Sequence, residues 1–551
     1  MSCTRRSRPA WSSGIRRPAS SARRAPASAE LCTARERPLS PPARGGCGAA
    51  SRSGSTPWEP TTWSSPAVRM ARSRPAMARR RRGRGLPMRV RSLVVLLALA
   101  APVALPAAAA FEVVNFDFPG EGFNDPTPAS PVGGNPGVTV GEQRQRVFDA
   151  AANIWGATLT STQTIRVAAL FESLACTDSS AVLGGASPFW SYADQPGLQA
   201  QTWYAAALAE KLSNADLGAD MIVNYEIVAA FNSDIGQAGC LTGASWYYGL
   251  DGAAPSGQVD LLTVVLHEFG HGLGFTVGPT VPSLGLRLVY PSVWEQFVRD
   301  LTSGKAWNTM NGLELIFSSL NTNNLVWTGP NVQVDLQSVL GFRTELLVQG
   351  PFQLRDFEAL PASFGPTLDQ TGLQGRLTLP TDSGGVSPTD ACEPIVSPLQ
   401  GRIALVDRGT CSYVQKVLNA QAAGAIGVVI VNNDPNGIPA ITGASGSVTI
   451  PSIGVAQLWG GILKLLPPVN DPNAQGLEAT LRLSPSVRQG TSGGYPRLYA
   501  PNPYEQGSSV VHWDTSLFPN QLMEPFINRD LTLQVTPPAD LTTSLLRDIG
   551  W

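Results

Sequence analysis

The chain has 551 residues, enough for two to four domains with buried cores. It carries 40 basic and 41 acidic residues, but residues 1–110 hold 21 of the basic ones and only three of the acidic ones. The remainder has 19 basic and 38 acidic residues, a net charge of −19, which argues against nucleic acid and anionic lipid as partners. No segment of this remainder is long and apolar enough to predict a stable membrane anchor.

The first 110 residues form two segments that we expect to lie outside any folded domain. Residues 1–87 consist mostly of Arg, Ser, Pro, Ala and Gly, which cannot bury enough apolar surface to fold, so we expect a disordered or mis-annotated leader. A basic nucleic-acid-binding arm is the alternative. Residues 88–110 have a basic start, an apolar run and small residues before Phe111, as in a secretory signal peptide. We therefore predict translation from Met88 and a secreted protein.

Four of the seven cysteines lie beyond this leader, at Cys176, Cys240, Cys392 and Cys411. An even number in an exported protein favours disulfides, and proximity in sequence favours the pairs Cys176–Cys240 and Cys392–Cys411. Four buried free thiols are the alternative. A cysteine zinc site is not indicated, because the sequence has no C-x-x-C pair.

The first half of the remaining chain is predicted to mix helices and strands. Apolar residues recur at helical spacing over 141–159, and residues 164–171 alternate as a strand does. A second helix is predicted over 203–212 and a second strand over 220–229. A glycine-rich stretch, 249–257, then leads into the segment that carries the chemistry.

An H-E-x-x-H motif lies in a helical pattern and contains His267, Glu268 and His271. The two histidines are four residues apart, so they project from one helix face, where two imidazoles can bind the same metal ion. Glu268 lies beside the metal position, where its carboxylate can take a proton from a water molecule that the metal activates. An ordinary exposed charged pair on a helix is the alternative.

Three features favour the metal interpretation. The apolar residues around the motif predict a buried helix, in which unpaired imidazoles would be unfavourable. The chain has three histidines in total, and two of them are in this motif. Three glycines in the same segment cost helix stability, roughly 1 kcal/mol each relative to Ala, so something other than helix formation must require them. They are Gly270, Gly272 and Gly274.

A catalytic zinc ion usually needs a third protein ligand, and three positions were considered. In the compact metzincin pattern, H-E-x-x-H-x-x-G-x-x-H, the third ligand would be residue 277, which is Val277 here. A glutamate from a later helix is possible, and Glu295 is the candidate, although the Asn-Glu signature of thermolysin-like enzymes is missing. The remaining histidine, His512, is the better candidate.

The order of motifs around His512 resembles leishmanolysin, a relative of the metzincins. Two motifs carry the resemblance. Gly274 and Phe275 follow the helical motif, and the pair His512-Trp513 precedes a Leu-Met-x-Pro turn that contains Met523. The resemblance implies that His512 is the third zinc ligand and that the turn at Met523, the Met-turn, lies beneath the metal. The chain has fewer cysteines than leishmanolysin-like enzymes, which puts a shared activation mechanism in doubt.

Residues 351–480 change in character to short β-branched strands separated by Gly, Pro and Asp turns. Strands are predicted over 403–406, 425–431 and 448–455. The order of strand, cysteine, helix and apolar strand in residues 401–433 resembles the protease-associated (PA) domain. The resemblance implies a non-catalytic module that binds substrate or a partner protein; another small α/β insertion is the alternative.

Together these features predict an α+β fold: a zincin-like (metzincin) catalytic unit from residues 111–350 and 481–551, with a β-rich PA domain, 351–480, inserted between its two parts. The strand predicted at 220–229 would form the upper edge of the cleft, along which a peptide could lie extended.

The predicted function is a secreted zinc-dependent endopeptidase, with Zn²⁺ as cofactor and proteins or peptides as substrates. Glu268 is the predicted general base, and His267, His271 and His512 are the predicted ligands. Two alternatives remain open: an inactive secreted binding protein, against which the intact Glu268 argues, and a zinc hydrolase of non-peptide amides or esters.

Overall fold

The computed structural model describes residues 107–349, 355–435, 437–466, 469, 477–528 and 530–551, together with the backbone of residues 24–26 and 30–35. Most of the predicted leader and signal peptide lies outside the described residues, so both stay predictions. The two leader segments that are described are β-strands, which differs from the disorder expected there.

The part of the chain before the barrel contains fourteen described strands and five described helices. The strands are β1 (Arg24–Pro26), β2 (Glu30–Arg35), β3 (Phe111–Asn115), β4 (Ile165–Glu172), β5 (Ser180–Pro188), β6 (Trp190–Tyr192), β7 (Tyr204–Ala205), β8 (Ile227–Asn232), β9 (Ser245–Tyr247), β10 (Gln258–Asp260), β11 (Thr280–Val281), β12 (Leu286–Arg287), β13 (Val298–Asp300) and β14 (Leu325–Trp327). The helices are α1 (Val140–Thr158), α2 (Ala206–Ser213), α3 (Leu261–Gly272), α4 (Gly312–Ser318) and α5 (Pro330–Val339), with 3-10 turns at Gly122–Asn124, Pro282–Leu284, Trp294–Gln296 and Trp307–Thr309.

The described residues between 342 and 488 form a closed seven-stranded barrel and include the helices α6 and α7, and the chain then returns to the first part. The barrel contains β15 (Phe342–Gln349), β16 (Arg355–Pro361), β17 (Leu373–Thr378), β18 (Arg402–Asp407), α6 (Tyr413–Ala422), β19 (Gly427–Val431), β20 (Ser452–Val455), α7 (Gln457–Lys464) and β21 (Leu477–Arg488). The last part contains β22 (Thr491–Ser492), β23 (Tyr495–Pro496) and α8 (Thr542–Ile549). No helix in the described ranges is long and apolar enough to cross a membrane.

One hydrophobic core joins the parts of the chain on both sides of the barrel, which we call together the main unit (residues 107–341 and 489–551). Apolar side chains from Ala109 to Leu340 and from Leu498 to Ile549 belong to the same buried cluster. The barrel has two clusters of its own. The barrel includes more of the chain than the predicted segment 351–480. The additional residues belong to β15 and β21, which pair with each other at the two ends of this part of the chain.

A five-stranded sheet in the order β2-β5-β8-β4-β3 supports the main unit. β3, β4 and β8 are parallel, and β5 runs antiparallel to β8. The prediction that residues 220–229 form the cleft edge is wrong: the strand begins at Ile227 and lies inside the sheet, between β5 and β4. Its alternate residues Ile227, Ala229 and Phe231 are buried and belong to the hydrophobic core of the main unit. Within the main unit, β5 and β3 are the two edge strands, and the leader strand β2 pairs with the outer side of β5.

The other predicted elements of the main unit and the barrel agree with the structure to within a few residues. Helices α1 and α2, strand β4 and the three predicted barrel strands are all present. Both predicted disulfides are confirmed: Cys176–Cys240 ties the start of β5 to the loop after β8, and Cys392–Cys411 lies within the barrel.

Two buried glutamates beside α2 predict a pH dependence of stability. Burial raises the pKa of Glu210 to about 8, with the nearby charge of Glu226 as a further cause, and burial raises the pKa of Glu226 to about 7. In the unfolded chain a glutamate titrates near about 4.3. Between these values the folded state binds more protons, so stability decreases as pH rises through this window.

We therefore expect the unfolding midpoint temperature of the wild type to decrease as pH rises from about 5 to about 8, and Glu210→Gln to flatten this slope because it removes one of the two carboxyl groups. Thermal unfolding followed by circular dichroism across this range measures it. The exposed control Glu121→Gln should keep the wild-type slope. Equal slopes in the wild type and Glu210→Gln would contradict the assignment.

Candidate metal centre

Helix α3 holds His267, Glu268 and His271 in the middle of the main unit. The helix begins at a cap: the Asp260 carboxylate accepts the backbone N–H groups of Leu262 and Thr263, at 2.9 and 3.3 Å. Every residue from Leu261 to Gly272 is buried, in accord with the apolar flanks of the motif. The helix is therefore part of the core, and its polar side chains need specific partners.

The three glycines of this segment have structural explanations. A Cβ atom on Gly270 would lie 2.7 Å from the Met523 Sδ atom, and one on Gly272 would lie 2.4 Å from the Ile227 side chain. Gly274 has a φ of +118°, in the left-handed region that side chains other than glycine rarely adopt. Two of the glycines thus allow close packing on α3, and the third turns the chain at its end.

The structure brings the three histidines together although His512 is 241 residues beyond His271 in sequence. The Nε2 atoms of His267 and His271 are 3.1 Å apart, and each lies 3.2 Å from the Nε2 atom of His512. All three imidazoles are fully buried. Three ring nitrogens therefore face one point inside the protein.

Backbone carbonyl groups fix the tautomer of each ring. The Nδ1 atom of His267 contacts the Leu522 carbonyl oxygen at 2.7 Å, that of His271 contacts the Phe275 carbonyl at 2.8 Å, and that of His512 contacts the Ser508 carbonyl at 2.8 Å. A carbonyl oxygen only accepts, so each Nδ1 carries the proton and donates it. In the neutral rings, each Nε2 then presents a lone pair to the common point.

Burial keeps these rings neutral. It lowers the pKa of His271 to about 4 and places the pKa values of His267 and His512 well below the usual histidine range, with the neighbouring rings as a further cause. At neutral pH the three rings are therefore in the form that binds metal ions.

The nitrogen spacing fits a zinc ion. Zinc bonds imidazole nitrogen at about 2.0–2.1 Å, and two ligands of a tetrahedral ion at that distance are about 3.3 Å apart, close to the spacing of these Nε2 atoms. Three buried lone pairs directed at one point repel one another unless a cation lies between them. Among the described residues, the three histidines also form one of two groups whose ligand atoms are close enough to share a metal ion. Three protein ligands leave a fourth position for water or substrate.

The predicted Met-turn packs against helix α3 between the positions of its two histidines. Met523 is fully buried, with its sulfur against Gly270 of α3. The Met523 carbonyl accepts the backbone N–H of Trp513 at 2.8 Å, and the preceding Leu522 carbonyl accepts the His267 ring. The turn therefore contacts both segments that supply histidines.

Asp540 fixes the Met-turn from the opposite side. Its carboxylate accepts the backbone N–H of Leu522 at 2.6 Å and that of Thr542, near the start of α8, at 2.7 Å. We expect Asp540→Ala to leave the buried Leu522 N–H unsatisfied, at a cost of about 1–3 kcal/mol. We also expect it to weaken zinc binding about tenfold, because the Leu522 carbonyl orients His267 and outer-shell partners typically contribute that much. Chelator competition measures the affinity.

Asp548→Ala is the matched control for Asp540→Ala. Asp548 lies in α8, and its carboxylate accepts hydrogen bonds from the Trp327 indole at 2.9 Å and the Asn331 backbone N–H at 2.6 Å. It does not contact the Met-turn in the structure, so its loss should cost stability while zinc binding stays at the wild-type level. Equal zinc affinities in the two variants would contradict the role given to Asp540.

Glu268 is buried between α3 and the edge strand β5. A Cβ atom built on Gly184 of β5 would lie 3.2 Å from the Glu268 Cγ atom, so the strand passes directly over this side chain. Glu268 follows His267 in the helix, and its placement beside the metal position stays a prediction. Its role as a base stays a prediction.

The structure gives the other two third-ligand candidates different surroundings. The Glu295 carboxylate forms a buried ion pair with Arg287 and accepts the Thr280 hydroxyl at 2.7 Å, so its oxygens have partners away from the histidines. Val277 is a buried apolar residue. Sequence reasoning missed the three carbonyl groups that orient the rings, for which no side-chain signal exists. It also missed Asp540, whose position two residues before a helix was the available signal.

Comparison with known protein families identifies the domain type of the barrel. Residues 373–460 match the family model of the PA domain. The match lies within residues 351–480, where the sequence predicted this domain. The matched residues include β17, α6, β18, β19 and β20, and they end within α7.

Individual proteins match the chain over short stretches. The E3 ubiquitin-protein ligase ZNRF4 of Macaca fascicularis is 35% identical over 111 residues, which are 18% of this chain and 24% of that protein. The PI-type proteinase of Lactococcus lactis subsp. cremoris is 26% identical over 192 residues, 34% of this chain and 10% of that protein. BSAP, a zinc aminopeptidase from Bacillus subtilis, has a solved structure that matches with 29% identity and a TM-score of 0.20, over 26% of this chain and 31% of its own. The chain thus spans a quarter or less of the length of these two curated relatives.

Proposed function

We propose that this chain is a secreted zinc-dependent endopeptidase. The observation that carries the proposal is the convergence of three neutral, buried imidazoles to within 3.2 Å of one another, with a glutamate next to one of them in the helix. The PA domain and the proteinase among the relatives support a peptidase-related function. Two disulfides are compatible with export.

The residues would divide the reaction as follows. His267, His271 and His512 would hold the zinc ion through Nε2, each oriented by a backbone carbonyl. When bound, zinc supplies Lewis-acid chemistry: it polarises a carbonyl group and makes a nearby water molecule more acidic. The Glu268 carboxylate would accept the proton of the attacking water and pass it to the amine nitrogen of the departing peptide.

The edge strand β5 supports an extended peptide as the substrate. Gly184, which lies over Glu268, has four residues of the strand before it and four after it. A peptide paired with this edge would therefore continue on both sides of the reacting bond, which favours cleavage inside a chain over removal of a terminal residue. The edge accepts an added strand in the structure itself, where residues 30–35 pair with it antiparallel.

The experiment is to incubate the protein with casein and to identify new peptide ends by mass spectrometry, before and after zinc removal with 1,10-phenanthroline. We expect internal cleavage that stops when zinc is removed and returns when zinc is added. A protein that holds zinc without cleaving casein but hydrolyses small amides or esters would indicate the non-peptide hydrolase. One that holds zinc and cleaves neither would indicate a binding protein.

A further inference from the structure

The barrel is inserted between the first two histidines and the third, and both of its connections lie beside the His512 segment. The chain leaves the main unit at Gly341, whose backbone N–H donates to the Phe518 carbonyl at 2.8 Å. It returns at Gln489, whose N–H donates to the Gly341 carbonyl at 2.9 Å. The barrel is therefore joined to the main unit close to the part that carries His512.

Arg497 connects the barrel to this part through its side chain. Its guanidinium group makes a two-point contact with Glu358 of β16, at 2.9 and 2.7 Å. It also donates to the Thr491 carbonyl and to the hydroxyl groups of Ser492 and Ser516, so all five of its N–H groups are used. Arg497 is only 6% exposed and the Glu358 side chain 18%, so this ion pair is less accessible to water than an ordinary surface pair.

The backbone of the same residue continues directly to His512. The Arg497 carbonyl accepts the Asp514 N–H at 3.0 Å, and the Tyr499 N–H donates to the His512 carbonyl at 2.9 Å. Between them, Leu498 and Trp513 form an antiparallel bridge. Residues 497–499 are thus bridged to residues 512–514, which fixes the backbone that carries the His512 imidazole.

We propose that Arg497 is a positioning residue for His512, and that Glu358 of the barrel holds the Arg497 side chain in its place. This inference rests on the proposed zinc function. Without the Glu358 carboxylate, a buried guanidinium loses its two charge-assisted hydrogen bonds and must move toward water or another partner. Its backbone would move too, and with it the His512 backbone that is hydrogen-bonded to this segment and carries the imidazole ring. The inserted barrel would then set the geometry of the metal centre from outside it.

The test compares the zinc dissociation constant of the wild type with that of Glu358→Gln, by competition with a chromophoric chelator. The visible absorption spectrum of the Co²⁺-substituted protein reports ligand geometry independently of activity. We expect Glu358→Gln to weaken zinc binding about tenfold, as loss of outer-shell partners typically does, and to alter the Co²⁺ spectrum.

Glu345→Gln is the matched control. Glu345 lies directly opposite Glu358 across β15 and β16 and is 2% exposed. Its carboxylate pairs with Arg343 and Arg482 inside the barrel, at 3.0 and 2.8 Å. The control should lose barrel stability, measured by the unfolding midpoint, while its zinc affinity and Co²⁺ spectrum stay at the wild-type values.

Two results would overturn the inference: both variants bind zinc as the wild type does, or both weaken binding by the same factor. If Glu358→Gln does not fold, Arg497→Lys takes its place. The lysine keeps the positive charge but cannot make the two-point contact with Glu358. A zinc affinity of this variant equal to that of the wild type would overturn the inference. A wild type that holds no zinc would overturn both this inference and the proposed function, whereas a zinc-loaded wild type with unaffected variants overturns the inference alone.

Discussion

Replacing Glu268 with Gln is expected to lower the rate of casein cleavage by about 10²–10⁴-fold while one zinc ion per chain is retained, because general-base catalysis contributes about that much. The substitution keeps the size of the side chain and removes its ability to accept a proton. Glu268 is a buried residue of α3 that packs against β5, and the glutamine amide group should fit in the same place. Cleavage rate and zinc content are measured on the same preparation.

Glu226→Gln is the control for this variant. Glu226 is another buried glutamate of the main unit, but it accepts the backbone N–H of Arg166 and pairs with the Arg166 guanidinium. Its replacement should leave the cleavage rate near that of the wild type. If zinc-loaded Glu268→Gln cleaved casein at more than about a tenth of the wild-type rate, Glu268 would not be the base.

Replacing His512 with Ala is expected to have the largest effect on metal binding. It removes one of three nitrogen ligands, and we expect the zinc affinity to fall well over 100-fold, since loss of an outer-shell partner alone costs about 10–100-fold. Casein cleavage should disappear with the metal. Zinc content after dialysis against a weak chelator measures the loss.

Glu295→Gln separates the two candidate third ligands. Since the Glu295 carboxylate is engaged by Arg287 and Thr280, this variant should lose stability, because it breaks a buried ion pair, yet keep its zinc. Retained zinc in His512→Ala together with lost zinc in Glu295→Gln would reverse the assignment and make Glu295 the ligand.

Local sequence patterns predicted the elements that carry their own signal. The apolar period around His267 predicted a buried helix, and cysteine proximity predicted both disulfides. The strands of the PA domain were recognised from their β-branched runs. Each of these signals depends on residues that are close together in the sequence.

The features that sequence reasoning missed depend on residues far apart in the chain. The strand predicted at 220–229 lies inside the sheet and does not form the cleft edge, because its sequence pattern alone does not tell an edge strand from an interior one. The partners that orient the histidine rings are backbone carbonyl groups. Every residue has one, so the sequence does not indicate which carbonyl group contacts a ring. The contact between Arg497 and Glu358 spans 139 positions and joins two folded parts.

The most direct test of the account is X-ray absorption spectroscopy at the zinc edge of the purified protein. The account predicts one zinc ion per chain, surrounded by three imidazole nitrogens and one further light atom at about 2.0–2.1 Å. Sulfur in the zinc shell, fewer than three imidazoles, or a protein that retains no zinc would contradict the assignment of His267, His271 and His512 as the metal centre.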